Sequence, residues 1–358
     1  MALTSLSIQS FRNIKQLELN LGSKNVFFGD NGSGKTSILE AVYMLATGRS
    51  FRASHLHVIQ QGEPALYLRG QIESALNVPA RVALQKSRNN QHIIKCDGQE
   101  VSSITEIAKQ LPVQVLHLLN YQLLQASPEA RRKQLDWGVF HVKHSFIEQW
   151  RVFNQLLKQR NASLRQQQRP LAIWDELLAE ASEQLHELRK EACAAWFPHA
   201  QQQIQELLEL TGITLHYGRG WTNDFSLKEV FEQNINRDLS LGYTYYGPQR
   251  ADLQIKTEGR LAQHVLSQGQ QKRLVAALQL SQSAWVYKQT LAQGILLIDD
   301  LPAELDAGGQ QQILNILSQL EAQVFFTCVD EPTARQFSEA LGAKLFHVKH
   351  GEAKELLV

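Results

Sequence analysis

The spacing of apolar residues predicts an α/β organisation at the start of the chain. Leu17, Leu19 and Leu21 alternate with polar residues, and the apolar run 26–28 ends at Gly29, as is typical of strands. The stretch 37–47 follows at once with helical spacing. Four further runs with strand character are separated by Gly, Pro and Asn: 65–68, 82–84, 93–96 and 113–119.

After Pro128 the apolar period becomes that of a helix. One series of large apolar residues has this spacing: Phe146, Trp150, Phe153 and Leu157. A second series runs from Trp174 to Ala195, and the two are separated by a break at 166–170. These patterns predict two long antiparallel helices. Packing within this hairpin explains the apolar stripe, and a groove for a partner is the alternative.

Pro198 is expected to interrupt the second long helix, because proline lacks the backbone N–H that the helix needs. A shorter helix is predicted over 201–210, and strand-like sequence returns at 213–217. The helical block is therefore an insertion. We predict an α/β head formed by residues 1–125 and 211–358, with a helical arm at 126–210 as a short coiled coil.

The segment from Gly29 to Thr36 matches the phosphate-binding pattern G-x-x-x-x-G-K-[ST]. It lies between a predicted strand and a predicted helix, which is the context that a P-loop requires. Glycines let backbone N–H groups surround a phosphate, Lys35 can reach the β- and γ-phosphates, and Thr36 can bind Mg²⁺. We predict that ATP is bound by the residues of this loop: Gly29, Asp30, Asn31, Gly32, Ser33, Gly34, Lys35 and Thr36.

Far downstream, the apolar run 295–298 ends at two carboxylates, Asp299 and Asp300. This is typical of a buried parallel strand that presents an acid at its C-terminal end. Such runs are common, but this one gains weight from the phosphate-binding loop in the same chain. We expect Asp299 to bind Mg²⁺ together with Thr36, and Asp300 to orient the attacking water.

A third motif, Leu266–Arg273, opens a predicted helix ahead of the acidic strand. Its sequence resembles the ABC signature LSxGQ. That resemblance implies that Ser267, Gly269 and Gln270 of one subunit face the γ-phosphate of ATP held by the other. A helix N-terminus offers N–H groups to an anion, and the plainer alternative is that Ser267 is an ordinary N-cap.

Several stretches select among the classes of ABC-type heads. They are Phe11-Arg12-Asn13, NGSGKTSILEAVYMLATGRSFR at 31–52, SPEARRKQLDWG at 127–138, YYGPQRADL at 245–253 and LIDDLPAELD at 297–306. The block 31–52 is the most specific. On these residues the chain resembles the RecF family over nearly its whole length. The modest helical hairpin is also similar to RecF, whereas SMC-type proteins carry arms many times longer.

The resemblance implies a P-loop NTPase of the ABC/SMC head type that binds ATP, Mg²⁺ and DNA, particularly at junctions of duplex and single strand. It implies ATP-dependent homodimerisation and slow, DNA-stimulated ATP hydrolysis. It also implies RecR and RecO as partners in recombinational repair, replication restart and the SOS response. We expect a cytoplasmic, nucleoid-associated protein without a membrane partner.

The match to the family is uneven in the loops. The segment 304–306 resembles the D-loop that crosses the dimer interface, which assigns Asp306 to it. Gln249 stands where RecF sequences usually carry His, and 118–121 replaces the usual PEDL. We therefore assign no residue to the γ-phosphate-sensing loop. Asp300 is one methylene shorter than the Glu of transporter ATPases, which favours slow hydrolysis.

The formal net charge is only +1, so DNA contacts would have to come from local clusters of cations. Each cluster is also compatible with an ordinary solvated helix face. Phosphate contacts would confer little sequence preference. The candidates are Arg49, Arg52, Arg131, Arg132, Lys133, Lys158, Arg160, Arg165 and Arg169.

Composition bounds the protein class. The 358 residues are 43% hydrophobic, enough for two lobes. The three cysteines are scattered without a C-x-x-C pair, which favours neither a disulfide framework nor a zinc site. No apolar run approaches the roughly 18 residues of a membrane span, and the first residues do not resemble a signal peptide. We expect a soluble protein that is not exported.

Two other functions stay open at this point. In the first, ATP acts mainly as a ligand switch of a binding module and turnover is incidental. Single-turnover hydrolysis with and without DNA separates that function from an ATPase. In the second, the chain energises a membrane transporter. The helical arm and the Phe11–Asn13 element argue against it, and co-purification with membranes would revive it.

Overall fold

The computed structural model describes residues 2–52, 57–73, 79–89, 91–116, 122–125, 127–167, 171–208, 210, 212–290, 294–300 and 307–357. The chain forms two compact units. The first comprises residues 1–119 and 283–358, and the second comprises residues 120–282. In these ranges no helix has the length and apolar character that crossing a membrane requires.

The strands, in chain order, are β1 (Ala2–Phe11), β2 (Ile14–Asn20), β3 (Lys24–Phe28), β4 (Ala65–Glu73), β5 (Pro79–Ser87), β6 (His92–Cys96), β7 (Gln99–Glu100), β8 (Val113–Leu116), β9 (Ile213–Gly218), β10 (Asp252–Thr257), β11 (Arg260–Leu261), β12 (Ile295–Ile298), β13 (Gln323–Cys328), β14 (Lys344–Lys349) and β15 (Glu352–Leu356). The helices are α1 (Lys35–Thr47), α2 (Thr105–Gln110), α3 (Gln122–Gln125), α4 (Pro128–Val142), α5 (Phe146–Arg165), α6 (Ala172–Leu208), α7 (Leu227–Gln233), α8 (Ile235–Leu241), α9 (Gln268–Thr290), α10 (Ala307–Gln319) and α11 (Glu331–Leu341).

The first unit contains two six-stranded sheets. One is antiparallel, with the order β2-β1-β4-β5-β6-β7. The other has the order β15-β14-β3-β13-β12-β8 and is parallel except for β15. Strand β13 lies between β3 and β12, so the two strands that carry the nucleotide motifs are not neighbours. Because the carboxyl ends of parallel strands meet at one edge, their motifs nevertheless converge there.

Helix α1 is buried on nearly all sides. It contacts strands of both sheets, among them β1, β4, β8 and β13. Its apolar side chains join one core with those of both sheets, including Ile8 of β1 and Phe325 of β13. Burial of a helix on all sides requires apolar residues around its whole circumference. The sequence from Ile38 to Ala46 supplies them, with Glu40 as a fully buried exception.

The second unit is built around α5 and α6, which pack against each other. The pairs Arg160–Asp175 and Lys143–Glu191 show that the chain reverses direction between these helices. The predicted hairpin is therefore present. The expectation that Pro198 interrupts the second helix is wrong, because α6 continues to Leu208. The cost of the hydrogen bond that Pro198 cannot donate is outweighed by the burial of Trp196 before it and Ala200 after it.

The three-stranded sheet β11-β10-β9 also belongs to the second unit. Strand β9 packs against α6, and β10 packs against α4. The predicted head therefore differs from the compact first unit in two segments, 120–125 and 211–282. Helix α9 begins in the second unit and ends in the first, because the boundary lies between Gln282 and Ser283.

Arg160 is the centre of a buried ion network in the second unit. Its side chain is fully buried, its Nε donates to Asp175 at 2.6 Å, and one Nη donates to Asp238 at 2.6 Å. Its guanidinium also lies 4.3 Å from the ring centroid of Phe231. A cation held in this way cannot reach a DNA phosphate. The expectation that Arg160 contacts DNA is corrected accordingly: it is a structural residue.

We predict that Arg160→Ala lowers the free energy of unfolding by about 3–5 kcal/mol, because Asp238 would be left as a buried charge without its cation. Urea-induced unfolding followed by circular dichroism measures the change. Arg165→Ala on the same helix is the matched control: the side chain is exposed, and the substitution should cost within about 0.5 kcal/mol. A loss below about 1 kcal/mol for Arg160→Ala would contradict the structural role.

Candidate nucleotide site

The phosphate-binding loop leaves β3 at Phe28 and enters α1 at Lys35. Gly29 has φ +148°, and a Cβ there would lie 2.1 Å from the carbonyl oxygen of Val348 in β14. Only glycine fits this combination of a left-handed backbone and a close approach. Gly34, at the N-cap of α1, has φ +121° and no side chain to cap the helix. The first-turn N–H groups of α1 therefore remain available to an anion.

Lys35 is held inside its own loop. Its Nζ donates to the carbonyl oxygens of Gly29 at 2.6 Å and of Asp30 at 3.0 Å. Burial lowers the pKa of the Lys35 ammonium, and nearby Asp300, Cys328, Asp299 and Asp30 partly offset this effect. The loop thus keeps a cation at the mouth of an uncapped helix.

Asp299 lies beside Thr36, and Thr327 of β13 forms hydrogen bonds with both Asp299 and Asp300. The hydroxyl of Thr36 donates to Oδ1 of Asp299 at 3.0 Å. Thr327 of β13 donates to the same oxygen at 2.8 Å and accepts the backbone N–H of Asp300 at 2.9 Å. Asp300 has φ +51°, a strained conformation for a non-glycine residue. The structure therefore brings the two sequence-predicted motifs into direct contact.

The turn between β1 and β2 closes over the other side of the loop. The side-chain amide of Asn13 donates to the carbonyl oxygen of Gly32 at 3.2 Å and accepts the Ser37 hydroxyl at 3.1 Å. The loop is thereby fixed from both sides, by Asn13 on one and by Thr36–Asp299 on the other. Rigid positioning of N–H groups and a hydroxyl is what phosphate recognition requires.

Glu40 is a buried carboxylate in α1 that gathers two arginines. Arg12 donates to both of its oxygens, at 2.7 and 2.9 Å, and Arg52 lies 3.2 Å from one of them. Ser50 also donates to Glu40. A buried carboxylate needs such pairing to stay charged. Arg52, a candidate DNA contact, therefore also belongs to this cluster; its side chain is exposed, and its contact with DNA stays a prediction.

A cavity of about 300 Å³ opens at this edge of the parallel sheet. It is lined by the loop, by the start of α1, by both acidic residues and by one arginine from beyond α1. The lining residues are Asn31, Gly32, Gly34, Lys35, Thr36, Ser37, Arg52, Asp299, Asp300 and Thr327. Asp30 and Ser33 belong to the same loop, and the buried Ser33 hydroxyl has no hydrogen-bond partner among the described residues.

The signature motif lies in the second unit. Ser267 caps α9: its hydroxyl accepts the N–H of Gln270 at 3.3 Å, and its own N–H donates to Oε1 of Gln270 at 2.9 Å. This reciprocal pair is a capping box. Ser267 and Gly269 are exposed, and among the described residues a Cβ at Gly269 would meet nothing within 4 Å. None of these described neighbours therefore requires glycine at that position.

The remaining DNA candidates fall into two groups. Arg131 and Arg132 are engaged locally, Arg131 by two bonds to Asp252 and Arg132 by the carbonyl oxygen of Ala251. The exposed ones are Arg49, Lys133, Lys158 and Arg165, with Lys133 paired to Glu129. Arg169, Asp306 and the loop 118–121 lie outside the described residues.

The polar residues that hold the site together carry little signal in the sequence. Asn13 lies in the family-like stretch 11–13, and nothing in that stretch indicates its contact with the phosphate-binding loop. Thr327 gave no signal beyond its place near the end of an apolar run. Its position beside Asp299 depends on β13 lying between β3 and β12, which only the sheet order reveals.

Comparison with known proteins identifies the family. Residues 2–353 match the family model described as RecF/RecN/SMC N terminal domain. The chain is 40% identical to the DNA replication and repair protein RecF of Stutzerimonas stutzeri, over 99% of this chain and 98% of that one. It is 38% identical to RecF of Pseudomonas syringae pv. syringae, with 98% and 97% coverage.

Solved structures agree on the fold. A structure of the recombination mediator protein RecF with ATP superposes with a TM-score of 0.87 at 24% identity, over 99% of this chain and 97% of that one. An SMC head bound to a winged-helix domain of ScpA gives a TM-score of 0.58 at 13% identity, with 99% and 97% coverage. The predicted fold class, an ABC/SMC-type ATPase head, is therefore confirmed. With the cavity, its P-loop and its two carboxylates already in place, these matches show that the chain belongs to the RecF family within the RecF/RecN/SMC group of ATPase heads.

Proposed function

We propose that this protein is an ATP-dependent, DNA-binding recombination mediator that uses slow ATP hydrolysis as a switch. The observation that carries the proposal is the joining of Thr36 to Asp299 at 3.0 Å within one cavity. It unites a phosphate-binding loop with an acidic strand end, the two parts that nucleotide hydrolysis needs. The relatives named as DNA replication and repair proteins supply the DNA context.

ATP binding would use charges that the loop already holds. The uncapped start of α1 and the Lys35 ammonium both attract phosphate oxygens. Lys35 would exchange the carbonyl oxygens of Gly29 and Asp30 for phosphate oxygens, which replaces neutral acceptors by charged ones. Arg52 adds a third positive group to the cavity lining.

The residues beside the cavity fit Mg²⁺. Thr36 and Asp299 offer a hydroxyl and a carboxylate oxygen, the hard ligands that Mg²⁺ prefers, and they already lie within 3.0 Å of each other. Mg²⁺ bound with ATP would neutralise charge on the phosphates. Thr327 would keep Asp299 oriented through its 2.8 Å bond.

Asp300 is the candidate for positioning the attacking water. Its backbone is fixed by Thr327, while its side chain belongs to the cavity lining. Its short side chain favours slow turnover. A slow ATPase suits a switch, because the ATP-bound state then persists long enough to act on DNA.

The signature motif would complete the site of a second protomer. Ser267 and Gly269 lie exposed at the start of α9, where N–H groups can meet an anion. In the part of its own chain that the structure describes, Gly269 has no neighbour that requires a glycine. A close approach by the ATP of another protomer would explain why glycine stands there. We propose that ATP bound by one protomer is covered by Ser267, Gly269 and Gln270 of another, with Asp306 at the same interface.

Membership of the family supports a proposal for the partners and the cellular role. One solved relative is described as the recombination mediator RecF with ATP in the RecFOR pathway. We propose that this chain likewise works with RecO and RecR at junctions of duplex and single-stranded DNA. Its roles would be recombinational repair, replication restart and SOS induction, close to the nucleoid.

The first prediction tests ATP-dependent DNA binding as a whole. The wild-type protein should bind junction DNA more tightly with a slowly hydrolysed ATP analogue than without it, and affinity should fall as salt rises. Lys35→Met should reduce nucleotide affinity at least about tenfold, since a charge-assisted contact is lost. It should also remove the ATP dependence of DNA binding. Fluorescence anisotropy measures both, and equal DNA affinity with and without nucleotide in the wild type would refute the proposal.

The second prediction separates the two acids. Asp300→Asn should keep ATP and Mg²⁺ binding and slow single-turnover hydrolysis by about a hundredfold or more. Asp299→Asn should weaken the Mg²⁺-dependent part of nucleotide binding. Identical metal-binding defects in both variants would show that the division of roles is wrong. Wild-type hydrolysis that DNA leaves unchanged would favour ATP as a ligand switch with incidental turnover.

The third prediction concerns the signature. Ser267→Arg should leave nucleotide affinity of the monomer nearly unchanged and abolish ATP-dependent dimerisation, because a bulky cation would block the start of α9. Analytical ultracentrifugation with a slowly hydrolysed ATP analogue measures the dimer.

The control for this prediction must match the loss of a helix cap. Ser226→Arg removes a similar capping box, formed with Glu229 at the start of α7, and should cost the same roughly 1 kcal/mol of stability without affecting dimerisation. Ser267→Asn keeps the cap and should dimerise better than Ser267→Arg. Normal dimerisation by Ser267→Arg would remove this residue from the interface.

A further inference from the structure

The loop 243–250 in the second unit is held rigidly from beneath. Thr244 donates through its backbone N–H and its hydroxyl to Oδ1 of Asn161, at 2.7 and 2.8 Å, and its hydroxyl accepts from Arg160 at 2.8 Å. The N–H of Tyr245 donates to Asp238 at 3.0 Å. The amide of Gln249 then closes the loop on the carbonyl oxygens of Thr244 and Tyr246. The buried Arg160 network thus fixes a surface loop.

Two arginines lie against the tyrosines of this loop: Arg250 from the loop itself and Arg237 from α8. The guanidinium of Arg237 lies 3.5 Å from the ring centroid of Tyr245 and 5.7 Å from that of Tyr246. Arg250 lies 5.1 Å from Tyr245 and 5.9 Å from Tyr243. We call these five residues, Tyr243, Tyr245, Tyr246, Arg237 and Arg250, the arginine–tyrosine surface. Tyr243 is 36% exposed, and neighbouring Leu241 is 41% exposed.

The surface carries positive charge without matching acids. Neither Arg237 nor Arg250 forms an ion pair with any carboxylate in the ranges that the structure describes. Arg165 adds a third cation, because its Cγ lies 3.2 Å from the position that a Cβ on Gly242 would take. Asp238 of α8, which accepts the N–H of Tyr245, is buried and paired with Arg160. In a chain of net charge +1, this is a local concentration of unpaired cations.

An exposed aromatic ring, Tyr243, beside the exposed side chains of Arg237 and Arg250 suits a particular ligand. Single-stranded nucleic acid offers unstacked bases to rings and phosphates to arginines. In a duplex the bases are stacked on each other and expose no face to Tyr243. The fixed loop reduces the ordering cost of binding, since its backbone is already held in place.

We propose that the arginine–tyrosine surface binds the single-stranded part of the DNA substrate, with Tyr243 stacking on a base and Arg237 and Arg250 contacting phosphates. This assignment rests on the DNA binding proposed above and identifies one surface for it. Gln249 supports this surface indirectly: its side-chain amide donates to two carbonyl oxygens of the loop and so holds the loop closed.

The test compares variants of the full chain, bound to ATP analogue, for affinity to labelled oligothymidylate and to duplex DNA. Tyr243→Ala should weaken oligothymidylate binding by about tenfold, as expected for loss of one base–aromatic stack, and Tyr243→Phe should retain it. Arg250→Ala should weaken binding and reduce the slope of log affinity against log salt by about 0.7, the value for one phosphate on a single strand. Tyr243→Ala should leave that slope unchanged.

Controls separate this surface from general effects. Phe225→Ala, an exposed aromatic of the same unit with 43% exposure, should bind oligothymidylate like the wild type. All variants should keep wild-type nucleotide affinity and ATP-dependent dimerisation. The wild type should bind an oligomer that lacks all its bases only as tightly as Tyr243→Ala binds oligothymidylate. Removal of the bases should change the affinity of Tyr243→Ala little.

The outcomes are distinct. Wild-type binding to oligothymidylate with unchanged affinity in Tyr243→Ala and Arg250→Ala would overturn this surface and leave the proposed function standing. Absence of binding to any DNA by the wild type would instead overturn the proposed function. Loss of ATP-dependent dimerisation with unchanged single-strand affinity would reassign the surface to the interface between two copies, and so would also overturn the inference.

Discussion

The near-complete burial of α1 is the constraint on which the rest of the nucleotide site depends. Gly34, at the start of this helix, has no side chain that could cap the first-turn N–H groups. The first turn lies at the edge of the parallel sheet, where Thr36 of the helix and Thr327 of β13 both contact Asp299. The apolar core thereby aims a positive helix end, with Lys35, at the cavity.

Glu40, a fully buried acidic residue of α1, is balanced by cations from both ends of the helix. Glu40 would be costly in an apolar helix if it stood alone. Arg12 from the β1–β2 turn and Arg52 from beyond α1 both reach it, so one carboxylate ties the segments before and after the helix to its middle. The neighbouring Asn13 then holds the phosphate-binding loop. Packing and recognition are thus not separable at this site.

Local pattern was sufficient for the elements that carry the motifs. The apolar run 26–28, the loop from Gly29 and the helix that follows each have short-range signals, and the structure has them as β3 and α1 within a few residues. The contact of Thr36 with Asp299 could be expected from the chemistry of the two motifs, since both offer oxygen ligands to Mg²⁺. Thr327 could not be found at all, because its role depends on strand order.

Charge was harder to interpret than hydrophobicity. Arg160 and Arg165 lie on one helix and look alike in sequence, but only Arg160 faces Asp238, which is 78 positions away. The helical period of 3.6 residues predicts which side chains share one face of a helix. It does not predict which other part of the chain packs against that face. Pro198 is a second case in which the local sequence was not sufficient. Proline on its own favours the end of a helix, but α6 continues through it because Trp196 and Ala200 are buried in the tertiary structure.

The chain connectivity of the first unit has a consequence for biosynthesis. The phosphate-binding loop is an early segment, but β3 pairs on both sides with late strands, β13 and β14. Gln323 likewise bonds the backbone of Leu3 across 320 positions. At translation rates of about 5–20 residues per second, the emerging loop waits about 15–60 s for the strands that form its sheet. The second unit is continuous in sequence from 120 to 282, so its folding does not depend on strands that are synthesised after residue 282. Until the last strands leave the ribosome, the protein therefore has its nucleotide motif without a nucleotide site, and the apolar faces of β3 and α1 need protection from aggregation.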